Sequence, residues 1–549
     1  MDRKGATVNN KTAASPHWRQ TSPCYRAELP LDLPPGAAFV WRAANNMALP
    51  AAGSTLFTPP PFDGEFPSQE VIIVGDETTQ DFILAGAVTA RRSLSYFTLI
   101  KRGRFHSVEV KQPMIAPDEE PEELLVLRGN DWRELLKEYA RCTAERAGLR
   151  SAYERPNISG YCSWYYYYAN VTENDMAENL SAITLPAVRQ SFPADYFQID
   201  DGYQPFHGDW LERNANWPTP LVETAAKISA VNLRPGIWIM PFMASTSSQI
   251  FREHPEYFVT DASGSPLLVK GWSPPPNHLW ACLDATREDV RQHLQHIFRT
   301  FREWGFTFFK LDGLGFALPE GGHFSEKTET AVSMYRKGLA AIREAVPDAT
   351  LLGCGAPFLP SLGFIDHCRI ANDTGMEYLP ENTPGNAEPN AAYPCIANAL
   401  HAVMANWWRI DTQFRADPDA LMARQDRAFY TAGEARLSIL TGILTGVTVT
   451  SDNFKTITLE RLELLAKAAR TRLFAPLPMQ WQCDAWCQFF SGTYNGKYAV
   501  AVFNDSSKPL LCKLSELGFS SRVQELLSGT EVSDTFQLPP HDGAFFYDV

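Results

Sequence analysis

The 549-residue chain contains no run of 18 or more apolar residues, so no transmembrane helix is expected. Its opening, MDRKGATVNNKTAASPHWRQ, has no apolar core, so no secretory signal is expected there. A basic stripe is also missing: 49 Lys and Arg stand against 63 Asp and Glu, and the net charge of −14 argues against nucleic acid as a partner. That balance suits neutral small molecules instead. The ten cysteines form no CxxC pair and no metal-ligand rhythm. Cys162, Cys354 and Cys368 fall inside apolar, strand-like runs, where a reduced, buried thiol is the expected state. Together these features point to the cytoplasm, with no membrane contact. Assembly into a homo-oligomer stays open.

What is present is length, more than one hydrophobic core normally organises, so two or three domains are expected. Residues 1–130 hold short alternating runs such as EVIIVGD (70–76), DFILAGAVTA (81–90) and SYFTLI (95–100) between turn residues, the pattern of an antiparallel β domain. Residues 131–158 form a connecting helix and linker, the helix carried by apolar spacing in DWRELLKEYARCTAERAG. From 159 to 475, strand-like runs alternate with helical patterns. The expected strands are YCSWYY (161–166), DYFQID (195–200), RPGIWIM (234–240), FTFFKLD (306–312), TLLGC (350–354), HCRIA (367–371), WWRID (407–411) and GVTVT (446–450). Eight such strands over this length predict an α/β fold, a (β/α)8 TIM barrel. Residues 476–549 return to short alternating strands and predict a small C-terminal antiparallel β-sandwich.

Reactive groups in such a barrel sit at the C-terminal ends of the strands. Those ends carry Trp164, Asp200-Asp201, Trp238, Lys310 and Asp312, Cys354, then Arg369 and Asp373. Any single Asp there is as easily a helix N-cap; the accumulation on one rim raises the odds of chemistry. Lys310 and Asp312 stand two apart, so both face the barrel mouth. A neighbouring ammonium keeps a carboxylate ionised, as a nucleophile requires, although a structural ion pair is the alternative. Asp373, in RIANDTG, is the candidate second carboxyl group, with a turn Asp as the alternative. Asp200 and Asp201 offer acceptors for sugar hydroxyls. Two unneutralised carboxylates also suit a divalent cation, but no further acid follows in regular spacing, so neither metal nor cofactor is expected.

At these residues the chain resembles glycoside hydrolase family 36, in the α-galactosidase clan. The resemblance rests on YCSWYYYY (161–168), YFQIDDGYQ (196–204), GDW (208–210), PGIWIMPF (235–242), FFKLDGL (308–314), LLGCGAPFLPSLG (351–363) and RIANDTG (369–375). It covers roughly residues 130–475 and implies retaining hydrolysis of oligosaccharides bearing a terminal α-linked galactose. By the same resemblance Asp312 is the nucleophile and Asp373 the acid/base. Asp200, Asp201, Trp238, Lys310 and Arg369 hold the galactose, Trp164 walls its subsite, and Cys354 lines it. The N-terminal domain is shorter than the family's β-sandwich, which often lends an aromatic residue; Trp41 is the candidate stand-in. KGWSPPPNHLW (270–280) departs from the family in its proline content, so the preference for the group beyond galactose is open. An α-N-acetylgalactosaminidase, a transglycosylase of the raffinose-synthase kind, and a carbohydrate-binding protein on an inactive barrel are the competing readings. The last predicts loss of one carboxylate, and both are present.

Overall fold

The computed structural model describes residues 8–12, 19–21, 24–34, 37, 39–42, 63–113, 120–149, 157–378, 394–482 and 487–549. Alternating apolar residues in the N-terminal region build two five-stranded antiparallel sheets. The sheet containing Val71–Asp76 and Asp81–Ala87 packs against the helix Trp132–Arg146. That helix buries Trp132, Leu135, Leu136, Tyr139 and Ala140, the spacing of one helical face, and Asp131 caps its start by accepting from the Arg133 N–H. The contact is close because Gly86 has no side chain: a Cβ there would meet the Tyr139 ring at 2.5 Å. The Tyr139 hydroxyl donates to the Ala87 carbonyl at 2.6 Å.

The central sheet has nine parallel strands. In chain order they are Ile158–Cys162, Tyr196–Ile199, Arg234–Ile239, Phe308–Leu311, Thr350–Gly353, His367–Arg369, Arg415–Asp417, Ala420–Leu421 and Val447–Thr450. Ile158–Cys162 pairs with both Tyr196–Ile199 and Val447–Thr450. The sheet's two outer strands, Arg415–Asp417 and Ala420–Leu421, are successive stretches of chain, so the sheet curls round on itself. Helices such as Glu288–Glu303 and Ala331–Ala345 lie between strands, as the spacing predicted.

Two local expectations are corrected. WWRID (407–411) is not a strand: Trp407–Arg409 is a turn of 3-10 helix, and the strand follows at Arg415–Asp417. The cause is Arg409, whose guanidinium stacks 4.0 Å from both Phe358 and Trp408 and pairs at 2.9 Å with Glu70, in the turn before the N-terminal strand Val71–Asp76. The segment is consumed as a bolt between two layers, and a turn through Asp411, at φ 57°, precedes the strand. Trp164 likewise stands in the short helix Trp164–Tyr167 after the first strand, not in it. The C-terminal region forms a six-stranded and a two-stranded antiparallel sheet around its own apolar cluster, including Val500, Val502, Leu514 and Phe546. No helix among the described residues is long and apolar enough to cross a membrane.

Candidate active site

Strand alternation stacks the interior of the curled sheet in layers. At the bottom, Tyr196 and Phe308 stack at 4.0 Å, joined by Leu352 and Val449. Gly160 makes room for this layer, since a Cβ there would sit 2.2 Å from the Tyr196 ring. Two residues further along the same strands come Gln198 and Lys310, and two further again Asp200 and Asp312. The period of two thus carries each strand from an apolar floor to a charged rim.

Lys310 donates to Asp200 Oδ2 at 2.9 Å, so the direct partner of the ammonium is Asp200 rather than Asp312. The same carboxylate accepts from Gln198 at 2.7 Å and from the Cys162 thiol at 3.2 Å, and its other oxygen accepts from the Asp201 N–H at 2.9 Å. Burial opposes charge on Lys310, but Asp200, then Cys162, Cys354 and Asp312, outweigh it and hold the ammonium protonated well above its ordinary range. Asp201 accepts from Gln204 at 2.6 Å and faces His207 Nε2 at 3.2 Å.

Asp312 follows the fourth strand and its carboxylate is gripped from two sides. Trp238 Nε1 donates to Oδ2 at 2.9 Å, and the Gly313 N–H donates to Oδ1 at 2.7 Å. Burial alone would raise its pKa. The charges of Lys310 and Arg369, with hydrogen bonds from Cys354 and Trp238, reverse this and hold the carboxyl below its usual range. Gly313 adopts φ 62°, the left-handed region, which turns the chain away above the carboxylate.

Asp373 lies four residues past Arg369, and the two pair at 2.5 Å. Although 43 % of its side chain stays exposed through the open rim, burial is the largest influence and raises its pKa. Arg369 opposes the rise, while Asp419 and Asp312 reinforce it. The two candidate carboxyl groups are therefore pushed in opposite directions, one toward the ionised and one toward the protonated form. Cys354 is buried beside them, with burial pushing its thiol pKa up.

The structure thus gathers Asp200, Asp201, Trp238, Lys310, Asp312, Cys354, Arg369 and Asp373 at one rim, with Trp164 half-buried against Tyr168 at 5.2 Å. Trp41 lies in the strand Phe39–Arg42 opposite Ile73, but its side chain lies outside the described part of the chain. Among the described residues no group of three or more His, Cys, Asp or Glu is placed to hold a metal ion.

Three participants escaped the sequence reading. His207 precedes the GDW motif and supports Asp201. Asp419 faces Arg369 at 3.6 Å and accepts from the Tyr165 hydroxyl and, at 2.9 Å, from the Thr374 N–H. Its φ of 71° turns the chain between the two outer strands of the curled sheet. Asp417, whose carboxyl is pushed up to about 6 by burial and then by Asp419, lies two residues before it. Placing the seventh strand at 407–411 hid both; the Asp-x-Asp at 417–419 was the available signal.

The curled parallel sheet thus carries two oppositely tuned carboxyl groups on its rim. Residues 191–312 match the family model described as Melibiase, and the chain's relatives and structural neighbours are consistent with glycoside hydrolase family 36. Over 194 residues it is 27% identical to "A type blood alpha-D-galactosamine galactosaminidase" of Flavonifractor plautii, a match covering 33% of this chain and 18% of that protein. Over 193 residues it is 24% identical to alpha-galactosidase Mel36A of Lactobacillus acidophilus, covering 33% of this chain and 24% of the relative. The matched stretches thus span less than a quarter of those relatives. The α-galactosidase of Thermus thermophilus shares the fold with a TM-score of 0.65 at 22% identity, over 87% of this chain and 96% of that one. That of Geobacillus stearothermophilus does so with 0.64 at 13% identity, over 96% and 76%.

Proposed function

We propose that the chain is a retaining α-galactosidase that releases terminal α-linked galactose from oligosaccharides. The observation that carries this is the opposed tuning of Asp312 and Asp373 around a shared Arg369. In the first step Asp312, ionised at rest, attacks the anomeric carbon while Asp373 gives its proton to the departing oxygen. The bond between sugar and Asp312 forms as the glycosidic bond breaks. In the second step Asp373, now a carboxylate, takes a proton from water, which displaces Asp312. Trp238 and the Gly313 N–H keep Asp312 aimed and make it a better leaving group. Asp200, Asp201, Lys310 and Arg369 bind the galactose hydroxyls, with Trp164 and Cys354 along its walls. The sheet acts as a (β/α)8 barrel over residues 159–475, its seventh strand interrupted at 418–419, between a β-sandwich at 1–130, a connector at 131–158 and a small β-sandwich at 476–549.

A second reading, an enzyme acting on α-linked galactosamine or its N-acetyl form, is favoured by one observation, the match to the Flavonifractor plautii galactosaminidase. Purified protein assayed on the p-nitrophenyl α-glycosides of galactose, galactosamine, N-acetylgalactosamine and glucose separates the two. The galactoside is expected to be turned over with the largest kcat/KM. A larger value for either galactosaminide replaces the proposal with the second reading, and turnover of none of the three overturns both.

A further inference from the structure

We propose that Trp272 is the stacking platform for the sugar ring attached to the galactose, and so sets which oligosaccharides are cleaved; this rests on the α-galactosidase reading above. Trp272 comes from the proline-rich loop at 271–278 and is 46% exposed, whereas Trp210, Trp238 and Trp280 are at most 2% exposed. A lone exposed indole would mean little. This one is the outer end of a continuous aromatic cluster that begins at the nucleophile.

Trp238 holds Asp312, and its ring lies 5.5 Å from His207. His207 lies 5.2 Å from Trp280, and Trp272 stands edge-to-face on Trp280 at 4.5 Å. The far edge of Trp272 would come within 3.6 Å of a Cβ on Gly313, the residue next to Asp312. The exposed indole therefore stands on the rim beside Gly313, one residue from the nucleophile. With galactose in the charged layer below, the ring attached to it would emerge at this rim, within reach of the indole.

The loop is also fastened in place. Asn277 accepts from the His207 N–H through its side chain at 3.4 Å and from Trp280 Nε1 through its carbonyl at 2.9 Å. The Gly271 N–H donates to the His278 carbonyl at 2.8 Å, and Ser247 donates to the Pro276 carbonyl at 3.2 Å. Successive prolines at 274–276 restrict the backbone further. An indole held before binding loses little freedom when a ring settles on it, which favours stacking on the apolar C–H face of a second pyranose.

The test compares wild type, Trp272→Ala and Trp272→Phe on melibiose, whose leaving group is a glucose ring, and on α-galactosyl fluoride, which has no ring there. For Trp272→Ala the ratio of kcat/KM on melibiose to kcat/KM on the fluoride should fall about tenfold or more, the scale of an aromatic anchor lost from a contact. Trp272→Phe should recover part of it, and the melting temperature should stay close to wild type because the ring is largely outside the core. Equal losses on both substrates, or an unchanged ratio, overturn the proposal while leaving α-galactosidase activity standing. A wild type inactive on both substrates overturns the function itself, and the platform with it.

Discussion

Replacing Trp238 by Phe keeps an aromatic ring in the third strand and removes the N–H that donates to Asp312 Oδ2 at 2.9 Å. A hydrogen bond to a charged group contributes about 1.5–3 kcal/mol. The lower end applies here, because Asp312 keeps the Gly313 N–H at 2.7 Å and the Cys354 thiol. About 1.5 kcal/mol is roughly a tenfold loss in kcat/KM. The sign of the pH effect follows from which form the bond favours. Trp238 stabilises the carboxylate, so its loss raises the Asp312 pKa, and the acidic limb of the kcat/KM profile should move to higher pH. The assay is kcat/KM on p-nitrophenyl α-galactoside across pH, with a melting curve to register the void left in a position that is only 1% exposed. An acidic limb that stays in place, with kcat/KM within about twofold of wild type, would refute the role given to this bond.

Other changes probe the remaining groups. Asp373→Ala should damage hydrolysis of melibiose far more than that of p-nitrophenyl α-galactoside in the first step, because a good leaving group needs no proton, and steady-state comparison of the two substrates reads this directly. Lys310→Met strands Asp200 in a buried site; breaking such a pair costs about 3–5 kcal/mol, measurable by denaturant unfolding, and the low end is expected because Gln198 and the Asp201 N–H remain. Asp419→Asn keeps an acceptor for Tyr165 and the Thr374 N–H but deletes a charge that raises the Asp373 pKa. The basic limb should therefore move to lower pH, and an unmoved limb would separate Asp419 from the acid/base.

Most of the rim was legible in the sequence because strand alternation is a strict rule. Once FFKLD is taken as a strand end, Lys310 and Asp312 must share a face, and YFQIDD puts Gln198 and Asp200 on the same side by the same logic. What stayed hidden lay where that rule stops. Arg409 converts WWRID from strand to bolt through a partner, Glu70, more than three hundred residues away in sequence, which no local pattern encodes. The misplaced strand then concealed Asp417 and Asp419. His207 was invisible for a different reason: it supports Asp201 from a loop, where spacing says nothing about direction. The pairing of Lys310 with Asp200 rather than Asp312 depends on side-chain reach across strands, and needed coordinates.

The central claim is that Asp312 forms a covalent link to the sugar, so that the anomeric configuration inverts twice. Proton NMR of the enzyme acting on p-nitrophenyl α-galactoside resolves the anomeric signals of free galactose before mutarotation mixes them. Retention through Asp312 predicts that α-galactose appears first and the β-anomer grows in only later. Initial release of β-galactose would show a single displacement by water, and would contradict the nucleophile assigned to Asp312.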